Sequence, residues 1–546
     1  MNSFAYRILG IMLFCTFFYD VQAFSALSFP KDSLFADELY RQGIEAFRNE
    51  EYSIAVRLWK DAAKAGNADA QCNLGTCYFS GIGVSADYKK AADWYGKAAR
   101  QGHSVAQCNL ANCYLAGNGV KQNLGEAVNW YILSAEQGNA LALTSLGVCY
   151  RLGEGIDENP EKAFECFSTA ARSGYSDAQK ELADCYYYGL GVQQDFEQAV
   201  QWYKKAADQG HIAANRSLAI CYENGEGCTV DNSMAAELYR VAAEKGDAES
   251  QYYLAEMLFY GMDVEVDSVE AVRLFTMAAE SDHVESQFFL AECYFWGEGV
   301  RQDYRKAFKW YRMAADNGHI AAMYQLASCY YVGFGVNINI TKALNLYHKA
   351  AELGNADSQY FLAECYFHGD AVEQSFEEAY DWYSKASEND HAPAMTKLGI
   401  FYSHGISIEQ DYSKAFELFT KAAELGNADA QFCLAECYYN GNGVEQNYLY
   451  AARWFIRAAE QGDVEAQYNL GVLYYKGMGV TQSYTEAVMW YSKAAMNGHP
   501  AAQYDLGVCH YNGKGVARNR DEAVKWWKLA AEQGYDNAKK ALRDID

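Results

Sequence analysis

A period of 36 residues runs along this chain from Gly66 onward, without an insertion or a deletion. A fixed period of this length predicts stacked copies of one structural unit, each contacting mainly its neighbours. We therefore expect one solenoid instead of the roughly three or four globular domains that a chain of this length would otherwise form. Thirteen equivalent glycines mark the period: Gly81, Gly117, Gly153, Gly189, Gly225, Gly261, Gly297, Gly333, Gly369, Gly405, Gly441, Gly477 and Gly513.

Each copy contains two helix patterns, which we call helix A and helix B. In residues 67–102, Asn67 is a residue type that begins helices, and Gly81 is the type that ends them. A second set of equivalent positions, starting at Asp87, holds only Asp, Asn or Ser and predicts the start of helix B. Small and apolar residues follow at helical spacing in both segments. The prediction is an all-α, superhelical α/α solenoid of helix-turn-helix repeats with a 36-residue period.

Five positions depart from the glycine pattern. Because residues other than glycine disfavour positive φ, we expect the turns at these positions to differ from the others. Three replace the second loop glycine and two replace the glycine between repeats: Asp263, Ala371 and Ser407, then Asp282 and Asp390.

The repeats resemble the Sel-one-like repeat (SLR) family, which is related to the tetratricopeptide repeat. Ala106 to Val120 reads AQCNLANCYLAGNGV, and Lys306 to Gly318 reads KAFKWYRMAADNG. The resemblance covers residues 67–534 as thirteen repeats. Residues 24–66 are interpreted as a linker and a tetratricopeptide-like capping helix pair, and residues 535–546 as a C-terminal capping helix.

This resemblance implies a non-enzymatic protein–protein interaction scaffold or adaptor that binds peptide or protein on its concave face. Family members of this kind assist protein degradation in the endoplasmic reticulum or mediate bacterial signalling and host contact, and the sequence leaves both settings open. Two alternatives are a glycan-binding solenoid and a hydrolase of the cell-wall or β-lactam type. Relatives suggested to be such hydrolases carry paired cysteines that bridge helices, a pattern this sequence lacks.

The first 23 residues have the pattern of a signal peptide. Arg7 precedes an apolar run at 8–18, and Val21 and Ala23 form a small-residue cleavage site. The run of about eleven residues is too short to span a bilayer. The expected location is therefore secreted, periplasmic or in the lumen of the endoplasmic reticulum.

The net charge indicates which classes of partner the chain can bind, and the cysteine positions indicate whether it holds a metal. The formal net charge of −26 disfavours nucleic acid and is compatible with a basic peptide or protein. Ten of the sixteen cysteines occupy one position of the repeat, where Met257, Phe401 and Leu473 occur in other copies. This exchange indicates buried free thiols acting as small apolar residues, and it predicts no metal site.

The candidate binding site lies on helix A, on the side that the core pattern leaves open. Equivalent positions in tetratricopeptide relatives line the groove that holds peptides. From the sixth repeat onward, three sets of equivalent positions follow one another at intervals of about one helical turn. The first set is aromatic: Tyr252, Phe288, Tyr324, Tyr360, Phe432 and Tyr468. The second is acidic: Glu256, Glu292, Glu364 and Glu436. The third is aromatic again: Phe259, Phe295, Tyr331, Phe367, Tyr439 and Tyr475.

Rigid aromatic rings beside carboxylates suit an extended peptide that carries lysine or arginine. The competing interpretation is that the aromatic residues only pack between repeats. The glutamates lie in the middle of the helix, where the helix dipole does not explain them, so we expect them to face a ligand.

No pattern in the sequence indicates catalysis. Six of the ten histidines share the position that begins helix A, and the other four have no metal-ligand spacing. We therefore predict no enzyme activity, no catalytic residue and no cofactor.

Overall fold

The computed structural model of the chain describes residues 31–545, and within that range every regular element is an α-helix. The predicted signal peptide (1–23) and residues 24–30 of the predicted linker lie outside the described residues. None of the helices within 31–545 combines the length and the apolar character needed to cross a membrane.

The helices fall into two compact units, the first ending at Ser281 and the second beginning at Asp282. The first unit contains α1 Lys31–Arg48, α2 Tyr52–Lys64, α3 Ala68–Ser80, α4 Tyr88–Arg100, α5 Ser104–Ala116, α6 Leu124–Ala135, α7 Ala140–Leu152, α8 Pro160–Arg172, α9 Ser176–Tyr188, α10 Phe196–Asp208, α11 Ile212–Asn224, α12 Asn232–Glu244, α13 Ala248–Tyr260 and α14 Ser268–Glu280.

The second unit contains α15 Val284–Trp296, α16 Tyr304–Asp316, α17 Ile320–Val332, α18 Ile340–Glu352, α19 Ala356–His368, α20 Phe376–Glu388, α21 Ala392–His404, α22 Tyr412–Glu424, α23 Ala428–Asn440, α24 Tyr448–Glu460, α25 Val464–Lys476, α26 Tyr484–Met496, α27 Pro500–Asn512, α28 Arg520–Glu532 and α29 Asp536–Ile545. Within each unit, consecutive helices pack against each other. The prediction of an all-α fold built from paired helices with a 36-residue period is confirmed.

Helix starts and ends are set by the residues that the sequence indicated. The Asn67 side chain accepts a hydrogen bond from the backbone N–H of Ala70, which satisfies one of the free donors at the start of α3. Asp87 does the same for Lys90 at the start of α4. Gly81 ends α3 with a φ of 72°.

Histidines at the start of helix A make two contacts, one with the backbone of their own helix and one with a carboxylate of the preceding repeat. The Nδ1 atom of His103 accepts from the backbone N–H of Ala106 at 3.1 Å, and its Nε2 atom lies 3.1 Å from the Asp69 carboxylate of the preceding repeat. The same ion-pair geometry recurs at His319 with Glu285 and at His499 with Glu465. These histidines are therefore structural caps that also connect neighbouring repeats.

The core is formed where a ring on helix B meets a small residue on helix A. A Cβ atom added to Gly75 would lie 2.7 Å from the ring of Tyr95, and one added to Gly147 would lie 2.6 Å from Phe167. Tyr95 and Phe167 are buried, together with the alanines around them. Because the helices approach this closely, the small residue and the ring have to occur together in each repeat.

All fifteen cysteines within the described residues are free thiols, and twelve of them are buried. Burial raises the pKa of Cys77 and of Cys113 to about 12, so both are un-ionised at neutral pH. A protonated, enclosed thiol is chemically inert, as expected of a core residue.

The five non-glycine positions keep the left-handed turn with smaller φ values than the equivalent glycines, so the turns differ slightly, as expected. Their φ values lie between 54° and 64°. The Asp390 N–H donates to the Ser387 carbonyl at 3.2 Å, and Gly354 makes the equivalent bond to Ala351 at 3.0 Å. Hydrogen bonding at the helix end therefore fixes the turn even where the residue disfavours it. The five are Asp263, Asp282, Ala371, Asp390 and Ser407.

We expect Ala371→Gly to raise the free energy of unfolding by about 1 kcal/mol, because alanine at φ 64° is strained and glycine is not. The matched control is Gly335→Ala at the equivalent position, which should lower it by about 1–2 kcal/mol. There a new Cβ would lie 2.1 Å from the Tyr304 carbonyl oxygen. Urea unfolding followed by circular dichroism measures both, and equal shifts in one direction would contradict the explanation.

Candidate functional site

All sixteen residues of the predicted site lie on helix A of their repeats, and we call their exposed side the helix-A surface. Fifteen are half-buried, and Glu436 is exposed. Tyr252, Glu256 and Phe259 lie on α13 of the first unit. The other thirteen lie on α15, α17, α19, α23 and α25 of the second unit.

The first aromatic set rests on the buried ring of helix B in the same repeat. Each ring therefore uses part of its surface for packing and leaves the rest accessible. The ring centroids are 6.0 Å apart for Tyr252 and Phe275, 6.1 Å for Phe288 and Tyr311, 5.6 Å for Tyr324 and Tyr347, 5.9 Å for Tyr360 and Tyr383, 5.8 Å for Phe432 and Phe455, and 5.9 Å for Tyr468 and Tyr491.

The third set, near the end of helix A, mostly contacts the first residue of the following helix B. Tyr331 instead contacts Phe361 of the next repeat at 5.1 Å, and Phe259 contacts Phe275 at 6.3 Å. One face of each of these rings is therefore also used for packing within the fold. The regular pairs are Phe295 with Tyr304 at 5.2 Å, Phe367 with Phe376 at 5.4 Å, Tyr439 with Tyr448 at 5.3 Å and Tyr475 with Tyr484 at 5.0 Å.

Two of the predicted glutamates have partners inside the fold. Glu292 accepts hydrogen bonds from the Tyr311 hydroxyl at 2.5 Å, the Trp296 Nε1–H at 3.0 Å and the Gln325 side chain at 3.2 Å. A ligand is therefore not needed to explain Glu292 and Glu364, since each accepts hydrogen bonds from, or lies near cations of, the fold itself. Glu364 accepts from the Tyr383 hydroxyl and lies near Lys397 and His368.

This pairing follows a rule that connects residues 19 positions apart. Where helix B carries a buried tyrosine, helix A usually carries a polar residue that bonds its hydroxyl. Where helix B carries phenylalanine, the helix-A position is apolar in two repeats, Val148 with Phe167 and Ile400 with Phe419, and glutamate in two others, Glu256 with Phe275 and Glu436 with Phe455. Comparing the two positions along the sequence could have revealed this rule. The bonded pairs are Tyr95 with Thr76, Tyr131 with Asn112, Tyr203 with Asp184, Tyr311 with Glu292, Tyr347 with Ser328 and Tyr383 with Glu364.

Glu436 is an exception to this rule. The helix-B residue of its repeat is Phe455, which has no hydroxyl to donate, and no side chain within residues 31–545 forms an ion pair with Glu436. Partial desolvation, followed by the negative charges of Glu465 and Asp463, raises the pKa of Glu436, and His404 acts in the opposite direction. This carboxylate therefore stands in a mainly negative environment and has no ion-pair partner within residues 31–545.

A second exception is a buried tyrosine whose helix-A partner is apolar. Tyr491 is 3% exposed, and the position that should bond its hydroxyl is Val472. Its side chain lines a cavity of about 220 Å³ between α25, α26 and α27. The cavity is lined by Tyr468, Val472, Tyr475, Lys476, Tyr491, Asp505 and Val508.

Asp505 is the carboxylate of this cavity, and the sequence analysis did not select it. The Tyr468 hydroxyl donates to its Oδ2 atom at 3.2 Å. Burial raises the pKa of Asp505 to about 6, although Tyr468, Lys476 and His499 act in the opposite direction. Asp505 thus remains largely charged at neutral pH in a place where the charge is poorly solvated.

In the first unit, charges at equivalent positions are compensated internally. Arg151 lies 2.5 Å from Glu181, and Lys180 lies 2.6 Å from Asp184. Arg216 of α11 is also paired, with Asp247 at 2.6 Å. Carboxylates without an ion-pair partner within residues 31–545, Glu436 on α23 and Asp505 on α27, therefore distinguish these two helices from the first unit. Within 31–545, no group of three or more histidine, cysteine, aspartate or glutamate side chains is placed to hold a metal ion.

Comparison with known proteins agrees with this architecture. A family profile described as Sel1 repeat matches residues 35–67 and then thirteen consecutive segments from 68–103 to 500–535. The first match, 35–67, overlaps residues 24–66, which were interpreted from the sequence as a linker and a tetratricopeptide-like capping helix pair. No curated protein matches the sequence.

Two solved structures show the same kind of repeat. The chain is 31% identical to c5321, a protective antigen of uropathogenic Escherichia coli with an SLR fold. The match covers 89% of this chain and 97% of that one, with a TM-score of 0.54. A Sel1 repeat protein from Oxalobacter formigenes is 30% identical over 57% of this chain and 90% of its own, with a TM-score of 0.43.

The hydrogen-bond rule predicts that the same substitution, tyrosine to phenylalanine, lowers the free energy of unfolding at one of two equivalent tyrosines and leaves it nearly unchanged at the other. Tyr311→Phe should lower the free energy of unfolding by about 1–2 kcal/mol, because Glu292 loses a donor. Tyr491→Phe should change it by less than about 0.5 kcal/mol, because that hydroxyl has no partner to lose. Chemical denaturation measures both, and equal losses would contradict the rule.

Proposed function

The chain belongs to the Sel1 repeat family, and on that basis we propose that it is an adaptor that binds a basic, extended peptide segment on its helix-A surface. Proteins with this solenoid of repeats generally act as protein–protein interaction scaffolds, and the family is generally non-enzymatic.

One observation carries the proposal: half-exposed aromatic rings on α23, α25 and α27 occur together with two carboxylates that have no ion-pair partner within residues 31–545. Glu436 lies between Phe432 and Tyr439 on α23, and Asp505 is on α27. Aromatic faces attract cations, and a carboxylate nearby adds charge attraction. A segment bearing lysine or arginine would supply the charge that these side chains lack.

The fold already contains such contacts. The Lys514 ammonium lies 4.9 Å from the ring centroid of Tyr475, and the Lys397 ammonium lies 5.9 Å from that of Phe367. These two rings of the helix-A surface therefore lie within cation–π distance of a lysine of the chain. This supports a basic ligand over a neutral one.

We propose an exported setting for this activity: secreted, periplasmic or in the lumen of the endoplasmic reticulum. The proposal rests on the pattern of the first 23 residues, in which Arg7, an apolar run and Ala23 follow in the order of a signal peptide.

The function can be tested with synthetic peptides of one length that differ only in being lysine- and arginine-rich, neutral or glutamate-rich. We expect the basic peptide to bind best. Glu436→Gln should weaken its affinity about twofold to fivefold, because an exposed charge contributes modestly. Isothermal titration calorimetry at two salt concentrations measures the affinity and its screening.

The matched control is Glu417→Gln, which removes the same charge from an exposed position on α22, the helix B of the preceding repeat. Glu417→Gln should leave the affinity unchanged. Equal binding of the three peptides, or equal weakening by the two variants, would refute the helix-A surface as the binding site.

A further inference from the structure

The cavity between α25, α26 and α27 has features that a general basic surface does not require. It is lined by three tyrosine rings, two valines and the Asp505 carboxylate, with the exposed side chain of Lys476 at its edge. Its volume of about 220 Å³ lies below the range of about 300–1,000 Å³ that is typical of small-molecule sites. A space of this size suits one long side chain.

The first feature is the Tyr491 hydroxyl. In six other repeats the equivalent tyrosine or its partner forms the hydrogen bond described above, for example Tyr347 with Ser328 at 2.9 Å. Val472 cannot form it, and no partner for the hydroxyl lies within residues 31–545. A hydroxyl on a side chain that is 3% exposed and borders a cavity is a ready hydrogen-bonding group for whatever enters.

The second feature is Asp505. An ionised carboxylate can accept about four hydrogen bonds, and Tyr468 is the donor that this one has. No cation within 31–545 forms an ion pair with it, and burial raises its pKa to about 6 in spite of Lys476 and His499. Tyr491, Tyr504 and Cys509 are further ionisable groups that feel its charge, and none of them is a cation at neutral pH.

The third feature is the arrangement of the rings. Tyr468 packs on Tyr491 at 5.9 Å on one side and on His499 at 4.6 Å on the other. Lys514 donates to the Tyr475 hydroxyl at 2.9 Å, so a lysine of the chain already occupies the outer edge of Tyr475. Lys476 also borders the cavity, but it forms no ion pair with Asp505, so the space beside Asp505 and Tyr491 is open to a cation from outside.

We propose that this cavity is a specificity pocket for one arginine side chain of the bound peptide, held between the Asp505 carboxylate and the Tyr491 hydroxyl. The alkyl part of the arginine would contact Val472 and Val508. A guanidinium suits the pocket better than an ammonium, because its planar set of N–H donors can reach two acceptors at once and it is more weakly hydrated. This inference rests on the proposed function, since it identifies one residue of the peptide that the helix-A surface binds.

The test uses the full chain and peptides that differ at one residue, which is arginine, citrulline or lysine. Citrulline keeps the shape of arginine and removes its charge. We expect the arginine peptide to bind about tenfold more tightly than the citrulline peptide, and Asp505→Asn to abolish that preference. Tyr491→Phe should weaken arginine binding about threefold without affecting stability.

Two matched variants serve as controls. Asp381→Asn removes a carboxylate from an exposed position on helix B of α20, and Tyr347→Phe removes a hydroxyl that is bonded to Ser328. Both should leave the arginine preference intact. Equal binding of the arginine and citrulline peptides, a preference that survives Asp505→Asn, or tighter binding of the lysine peptide would each overturn the proposal.

A small probe separates this inference from the proposed function. If N-acetyl-arginine methylamide binds the wild-type chain in an NMR titration but not Asp505→Asn, the pocket is supported even where longer basic peptides fail. If basic peptides bind and depend on Glu436 while Asp505→Asn has no effect, the adaptor function stands and the arginine pocket is refuted.

Discussion

The contact between a helix-B ring and a small helix-A residue determines most of what is seen in this structure. The ring of Tyr95 against Gly75, and of Phe167 against Gly147, brings the two helices of a repeat so close that no Cβ could be added without displacing the ring. Because this contact recurs with the 36-residue period, it fixes the backbone independently of the other side chains on helix A. Those side chains are then free to vary between repeats without changing the fold.

The same ring also decides the role of the residue next to it on helix A. Glu292 and Glu436 are the same residue type at equivalent positions, yet Glu292 accepts from Tyr311 and Glu436 faces Phe455. One carboxylate is therefore part of the core hydrogen bonding, and the other is available to a ligand. The difference between the two glutamates comes from the hydroxyl of Tyr311 on helix B, which Phe455 lacks.

The sequence was sufficient for the fold and only partly sufficient for the site. The period, the capping residues and the core positions follow from local rules, so helices such as α3 and α4 were predictable together with their ends. The side of helix A that carries the candidate site was predicted for the same reason. Which of its residues are satisfied internally was not, because that depends on a partner 19 residues away, as Glu364 and Tyr383 show.

Asp505 illustrates a different limit of prediction from a repeated sequence. Its equivalent positions hold unrelated residues such as Lys397 and Cys433, so no repeated pattern draws attention to it. It becomes notable only when three helices bring it to the same cavity as Tyr491 and Tyr468. Features that occur once in a repeat protein carry no periodic signal, although they are the ones that can distinguish one partner from another.

The pair of Val472 and Tyr491 suggests how such a unique feature arises at small structural cost. Replacing a polar residue by valine leaves the tyrosine ring packed as in other repeats, because the ring is held by the small helix-A residue Gly471. The substitution removes one hydrogen bond and releases one hydroxyl toward a cavity. A frame in which packing and hydrogen bonding are carried by different residues can therefore gain a recognition group in one repeat while the stack stays intact. Specificity in this chain would then depend on where the internal pairing is left incomplete, more than on which residue types are present.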